Sequence, residues 1–185
     1  MVTLLCLLSG CKTPPAPPRA QAQAGLTETT RNNCYSLLHE LLDDEKDVSM
    51  LRFLKHEDTG LKALINKVAA SAGAGATQLE EFAKRDPSLA LDDLDLPPGE
   101  KKTRASISSK EEKDLLRHSG DEFELILVVT QIEALNYASH LARVASENDS
   151  EPERARYLMG LSNELKSLHD EVLGQISMNS PASRK

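Results

Sequence analysis

The chain has 185 residues, a formal net charge of −7 and aromatics at only 3 %, with no tryptophan. That acidic balance argues against a nucleic-acid partner, because binding phosphates requires a basic face. Leucine and alanine supply most of the apolar content, which favours helix over sheet, and no strand-like alternation of useful length occurs.

The N-terminus opens with Val2, Leu4, Leu5, Cys6, Leu7 and Leu8, then Ser9-Gly10-Cys11. The apolar run is far shorter than the roughly 20 residues needed to span a bilayer. Leu8-Ser9-Gly10-Cys11 resembles the lipobox of bacterial lipoproteins, in which the cysteine receives a diacylglyceryl group and becomes the new N-terminus after cleavage. The resemblance implies a signal peptide over residues 1–10 and Cys11 as the lipidation site. A basic segment normally precedes the apolar core of a signal and none is found here, so the natural start is expected upstream of Met1. Lys12 in place of an aspartate resembles the outer-membrane class of enterobacterial lipoproteins, which places the protein at a membrane, facing the periplasm or the outer membrane.

Residues 11–31 read as a Pro/Ala-rich tether: four of the nine prolines lie between Pro14 and Pro18. Such a segment buries too little apolar surface to fold and is expected to stay extended, reaching roughly 60 Å at about 3.1 Å per residue. With Cys6 removed and Cys11 lipidated, Cys34 is the one remaining thiol, which leaves no intrachain disulfide. Cys34 reads as a small packed side chain rather than a reactive one.

A helical body is expected over residues 32–178, with a loose tail over 179–185. The first helix is predicted from Asn33 to Glu57, on the spacing of Leu37, Leu38, Leu41, Val48 and Leu51. The second is predicted from Thr59 to Arg85, on Leu61, Leu64, Ile65, Val68, Ala72, Ala76, Leu79 and Phe82. Gly73 and Gly75 in its middle imply either a bend or an unusually close neighbour, and Asp86-Pro87 ends it. A long connection from Ser88 to Ser108 then leads to Ser109-Lys110-Glu111-Glu112, a capping-box pattern opening a short helix that stops at Gly120. The third long helix starts after Asp121 and is apolar almost all round from Phe123 to Ile132, which predicts deep burial of its first half. A second capping box, Ser150-Glu151-Pro152-Glu153, opens the fourth, whose seam is Leu158, Leu161, Leu165, Leu168, Val172 and Ile176.

Two helices, a long crossover and two more helices is the connectivity of ferritin-like bundles, though pattern alone does not separate it from other four-helix arrangements. Ser119-Gly120-Asp121-Glu122-Phe123-Glu124, with Leu116 and Leu96-Pro97 before it, is similar to a secreted, ferritin-like bacterial family of unknown function whose members are sometimes lipid-anchored. The resemblance covers roughly Asn33 to Ile176 and implies an all-α, ferritin-like up-down four-helix bundle with a long crossover between the second and third helices and a short extra helix. It also implies Asp-His pairs at residues 71–72 and 134–135, where this chain has Ser71-Ala72 and Ala134-Leu135.

No Glu-x-x-His occurs, so the ligand set of a di-iron carboxylate bundle is missing. The best remaining metal candidates are Glu133 and His140, two turns apart beside Asn136 and Tyr137 at the edge of the apolar face, and Glu45, which with Asp44 interrupts the first helix. His56 and Glu57 close that helix, and His169 accompanies Glu164 and Asp170 on the fourth. A basic residue near a helix C-terminus and a solvated acidic face over Asp43-Asp44-Glu45-Lys46-Asp47 explain these groups without a ligand. Nucleophile–base arrangements, phosphate-binding glycine loops and zinc spacings are lacking, so no catalytic residue is assigned. The sequence therefore predicts a non-enzymatic envelope protein with a structural or protein-contact role, its only attached group the lipid on Cys11 and its partners the membrane and an unidentified protein. The alternative is a divergent ferritin-like metal-binding or oxidative-stress protein.

Overall fold

The structure, a computed structural model, describes residues 18–47, 59–92 and 96–178. These residues form five helices and no strand: α1 (Pro18–Lys46), α2 (Thr59–Arg85), α3 (Pro98–Arg117), α4 (Asp121–Asn148) and α5 (Pro152–Met178). The protein is all-α over this span, and none of the described helices is long and apolar enough to cross a membrane.

Two elements differ from expectation. The first helix starts at Pro18, well before Asn33, so part of the segment expected to be extended is helical. Proline is tolerated in a first helical turn, where its missing N–H would have no partner, and the alanines and glutamines that follow are strong helix formers. Residues 25–30 of α1 are nonetheless exposed throughout, and packing begins only at Arg31. The described helix ends at Lys46 with Asp47 in a turn, and its expected continuation through Val48, Leu51, His56 and Glu57 lies outside the described residues.

The second difference is α3. It begins at Pro98, not Ser109, and is a full 20 residues long. Pro97 holds the N-cap position with φ −52° and ψ 140°, and its carbonyl accepts the Lys101 N–H at 3.2 Å. The prolines that signalled a loop therefore start the helix, and Ser109-Lys110-Glu111-Glu112 falls inside it. His118 closes α3, its N–H donating to the Asp114 carbonyl at 3.2 Å. Gly120, at φ +59°, makes the turn into α4 that a side chain would strain.

Side-chain pairings fix the directions. Tyr35 meets Asp149 and Glu45 meets Gln131, so α1 and α4 are antiparallel. His39 lies beside Glu80, and Arg31 beside Ser88, so α1 and α2 are antiparallel as well. Lys67 pairs with Glu171 and Arg154 with Asp86, which sets α5 antiparallel to α2. Ser162 donates to the Ser139 carbonyl, and Ser146 to that of Ala155, which does the same for α5 and α4. The contacts thus close a ring, α1 to α2 to α5 to α4 and back to α1. Because α2 ends beside Arg154 and α4 starts at the other end, the chain between them must travel back along the molecule. α3 makes that journey, about 30 Å at 1.5 Å per residue, with Arg104 stacked 4.8 Å from the Tyr137 ring of α4. Only Leu115 of α3 is buried.

The core is mostly leucine and alanine. Every apolar position expected on α2 is buried, and on α5 Leu158, Leu161, Leu165, Leu168 and Val172 are buried while Ile176 is 43 % exposed. On α4, Phe123, Leu127 and Val128 go inside, but Leu125 and Val129 are 59 % and 41 % exposed, so the first half is buried on one side only. α2 runs unbroken through Gly73 and Gly75, and the second of these explains the small-residue stretch. A methyl group on Gly75 would lie 2.9 Å from Leu42 Cδ1 of α1 and 3.5 Å from Leu161 Cδ1 of α5. Gly73 has room, its nearest such contact being 3.6 Å.

The end of the ring near Tyr35 is held by ionic hydrogen bonds. The fully buried Asp149 carboxylate accepts Tyr35 Oη at 2.7 Å and Arg154 Nε and Nη2 at 2.8 Å each. Arg154 Nη1 donates to Asp86 at 2.9 Å. The cap of α5 is Glu151, one residue later than the sequence pattern suggests: its carboxylate accepts the N–H groups of Glu153 and Arg154 at 3.0 and 2.7 Å.

Two stability predictions follow from this packing. Gly73→Ala should stabilise the protein by up to about 1 kcal/mol in urea denaturation, the propensity difference of a helix interior. Gly75→Ala should gain less or lose stability, because Leu42 must move; equal gains would refute the close approach. Asp149→Ala should cost about 3–5 kcal/mol in the same measurement, since it removes the buried half of the Arg154 ion pairing and leaves Tyr35 Oη and two guanidinium N–H groups without their acceptor.

Candidate functional site

The residues singled out by sequence do not converge. Cys11 lies outside the described residues. Glu133 and His140 on α4 are both exposed, so they face solvent rather than edging the core, and His140 Nδ1 is 3.3 Å from Arg143 Nη2. His169 Nδ1 lies 3.0 Å from its neighbour Asp170, and Glu164 is exposed. Cys34 is buried, and burial pushes its thiol up from the ordinary range, as expected of a packed rather than an activated cysteine.

Glu45 is the exception. Near the C-terminal end of α1 it turns inward, half-buried, and accepts a hydrogen bond from Gln131 Nε2 of α4 at 2.7 Å. Desolvation pushes its carboxyl group up to about 7; the Gln131 hydrogen bond opposes this, and the charges of Asp44 and Glu111 add to it. Glu111 on α3 is also raised, by desolvation and then by Glu133 across the α3–α4 contact. Three carboxylates from three helices thus share one region, where the charge of Lys110 opposes the rise of Glu111. Gln131 is only 2 % exposed, and its Oε1 has no hydrogen-bond partner. The other such atom among the described residues is Ser71 Oγ, at a position where the family resemblance implies an aspartate.

A second group, not suggested by the sequence reading, spans α1 and α2. His39, Asp43 and Glu80 bring one ring nitrogen and two carboxylate oxygens within 4.8 Å of one another. His39 Nε2 stands 3.4 Å from Glu80 Oε1, and its side chain is 16 % exposed. Asp43 is held by Lys46, one turn further along α1. The field of Asp43, Asp47 and Glu80 adds to the Asp43 hydrogen bond in raising the Lys46 ammonium above its ordinary range. His39 and Asp43 are four residues apart, the spacing that places two side chains on one helix face. That half of the signal was visible in sequence; Glu80, 41 residues beyond His39, was not.

The best-formed concavities are open grooves between α2 and α5, one lined by Lys67, Ala70, Ser71, Glu164 and Glu171. No known protein family, curated protein or solved structure matches the chain.

The Glu45 carboxyl group sets a pH dependence. Its folded value, about 7, lies above the ordinary 4.5, so the native state holds the proton more tightly than the unfolded chain does. Its contribution to stability therefore falls as pH rises from about 4.5 to about 7 and stays low above that. Glu45→Gln keeps a polar partner for Gln131 and removes the titration. The variant should be more stable than the parent at pH 8, by at most about 3 kcal/mol, with the gap closing near pH 4. Parallel stability curves for the two proteins across that range, measured by chemical denaturation, would contradict the assignment.

Proposed function

We propose that the chain is a lipid-anchored helical-bundle protein of the bacterial cell envelope, non-enzymatic, and acting through protein contacts or as a structural component. The observation that carries this reading is Leu8-Ser9-Gly10-Cys11 followed at once by a proline-rich stretch. A nucleophilic cysteine directly after two small residues and an apolar run is where lipid is attached and the signal removed. Two or more acyl chains, at about 0.8 kcal/mol per buried methylene, then give stable membrane attachment.

The ferritin-like four-helix fold belongs to the same proposal. Its support is the pairing of α1 with α2 and of α4 with α5 in antiparallel fashion, with α3 carrying the chain back so that α2 and α4 run in the same direction. A structural role is supported by the work that the buried ionisable groups perform. Asp149 and Arg154 tie helices together, and Glu45 is bonded to a core amide. A contact role is supported by Leu125 and Val129, one turn apart on α4 and both well exposed. Helical residues 25–30 of α1, exposed on all sides, suit a stalk between membrane and bundle.

The test is Cys11→Ser in a bacterial host that processes lipoproteins. The parent should fractionate with membranes and show an acyl-modified N-terminus by intact mass, and the variant should appear in the soluble fraction. Membrane retention of the variant, or an unmodified N-terminus in the parent, would count against lipid anchoring.

A further inference from the structure

We propose that His39, Asp43 and Glu80 form a binding site for a zinc-class divalent ion that bridges α1 and α2 on the outer face of the bundle. This goes beyond the anchoring role and does not depend on it.

The donor set is an imidazole nitrogen and two carboxylate oxygens, a combination that suits a first-row divalent ion better than calcium or magnesium, which favour oxygen alone. The spacing fits as well. Two donors about 2.1 Å from one tetrahedral ion stand about 3.4 Å apart, and His39 Nε2 and Glu80 Oε1 are separated by 3.4 Å. Asp43 brings a carboxylate oxygen within 4.8 Å of both, so a side-chain rotation completes three protein ligands and leaves the fourth position for water.

The surroundings favour a cation. Asp47 adds negative charge nearby, and the ammonium of Lys46 now answers it. That lysine side chain is 40 % exposed and flexible, so an incoming ion displaces it from Asp43 while the ammonium swings into water. His39, by contrast, is mostly enclosed by the two helices and needs little ordering to bind. Asp43 and Glu80 side chains are each 44 % exposed, which leaves the ion a route in from solvent. Both helices are long and packed here, Leu42 of α1 lying against Gly75 of α2 near the proposed ligands. The ligands therefore project from rigid elements rather than loops.

The experiment is isothermal titration of the full-length protein in detergent with zinc chloride, alongside His39→Ala, Asp43→Asn and Glu80→Gln. Far-ultraviolet circular dichroism checks that each variant keeps its helices; Asp43 and Glu80 are exposed enough for conservative changes to leave the fold intact. One zinc per parent chain is expected. Each substitution should weaken binding by at least the roughly 10–100-fold that even outer-shell changes produce. A parent that takes up no zinc would overturn the proposal. So would zinc binding that survives any one of the three substitutions, since the ion would then sit on other ligands.

Discussion

Asp149 is the point at which the long helices are held in register. Its carboxylate has no exposed surface, and it sits in the turn between α4 and α5 where three donors reach it: Tyr35 from α1, Arg154 from α5 and the Glu151 N–H from the turn itself. Arg154 passes the connection on to Asp86 at the end of α2. Burial alone would raise the Asp149 carboxyl group, but the hydrogen bonds from Arg154, Tyr35 and Glu151 outweigh it and hold the group below its ordinary range. Burial and the bond to Asp149 push the Tyr35 hydroxyl well up in turn, so the phenol stays protonated and donates. Apolar side chains of the right volume could fill the same space at similar stability. They could not specify which residues meet, because leucine packs on leucine in several registers.

The middle of the bundle is built differently. Where the first end has two carboxylates around one guanidinium, the region near the end of α1 gathers Glu45, Glu111 and Glu133 with only the neutral amide of Gln131 bonded to one of them. Of these, the Glu45 and Glu111 carboxyl groups are raised, while those of Asp86, Asp149 and Glu151 are lowered. Acidification therefore acts in opposite senses on the two regions. It relieves repulsion around Glu45 before it reaches the ionic ties around Arg154, because the raised groups take up protons first. Within a turn of Glu45, Gly75 lets α1 and α5 approach α2 closely. That contact depends on shape and does not change with pH.

How much of this could be read from sequence depended on whether the signal was periodic or a boundary marker. α2, α4 and α5 lie within a residue or two of their expected limits, because apolar residues at three- and four-residue spacing recur along their whole lengths. The starts expected at Asn33 and Ser109 fall too late, because the proline-containing segments before them read as extended chain, whereas Pro18 and Pro98 each occupy a first helical turn. Ser109-Lys110-Glu111-Glu112 marks no helix start because the same pattern also fits a helix interior, where Lys110 and Glu112 face water and Glu111 turns toward α4. Glu45 was noticed as an acidic residue interrupting an apolar stripe, and it does turn inward. Gln131 was not noticed, since a neutral amide on an apolar helix carries no charge to flag it. His39, Asp43 and Glu80 were missed because the third member comes from another helix, and only the packing of α1 on α2 brings it into place.

The interior itself explains where chemistry can and cannot reside. In the ferritin-like reading proposed above, ligand pairs would occupy residues 71–72 and 134–135. Ser71, Ala72 and Leu135 are buried and Ala134 is half-buried, so side chains at these positions do point into the body of the protein. They are small or apolar, and the polar atoms left nearby are single and unpaired, as Ser71 Oγ is. A cation enclosed by Ala72, Ala134 and Leu135 would lose its hydration with no carboxylate at these positions to replace it, a cost of many kcal/mol. The helix faces between α1 and α2 impose no such cost. There the carboxylates of Asp43 and Glu80 are half-exposed beside an imidazole that packing already holds in position. The same desolvation that keeps unpaired charge out of the core thus weighs little on the face between α1 and α2, where His39, Asp43 and Glu80 stand.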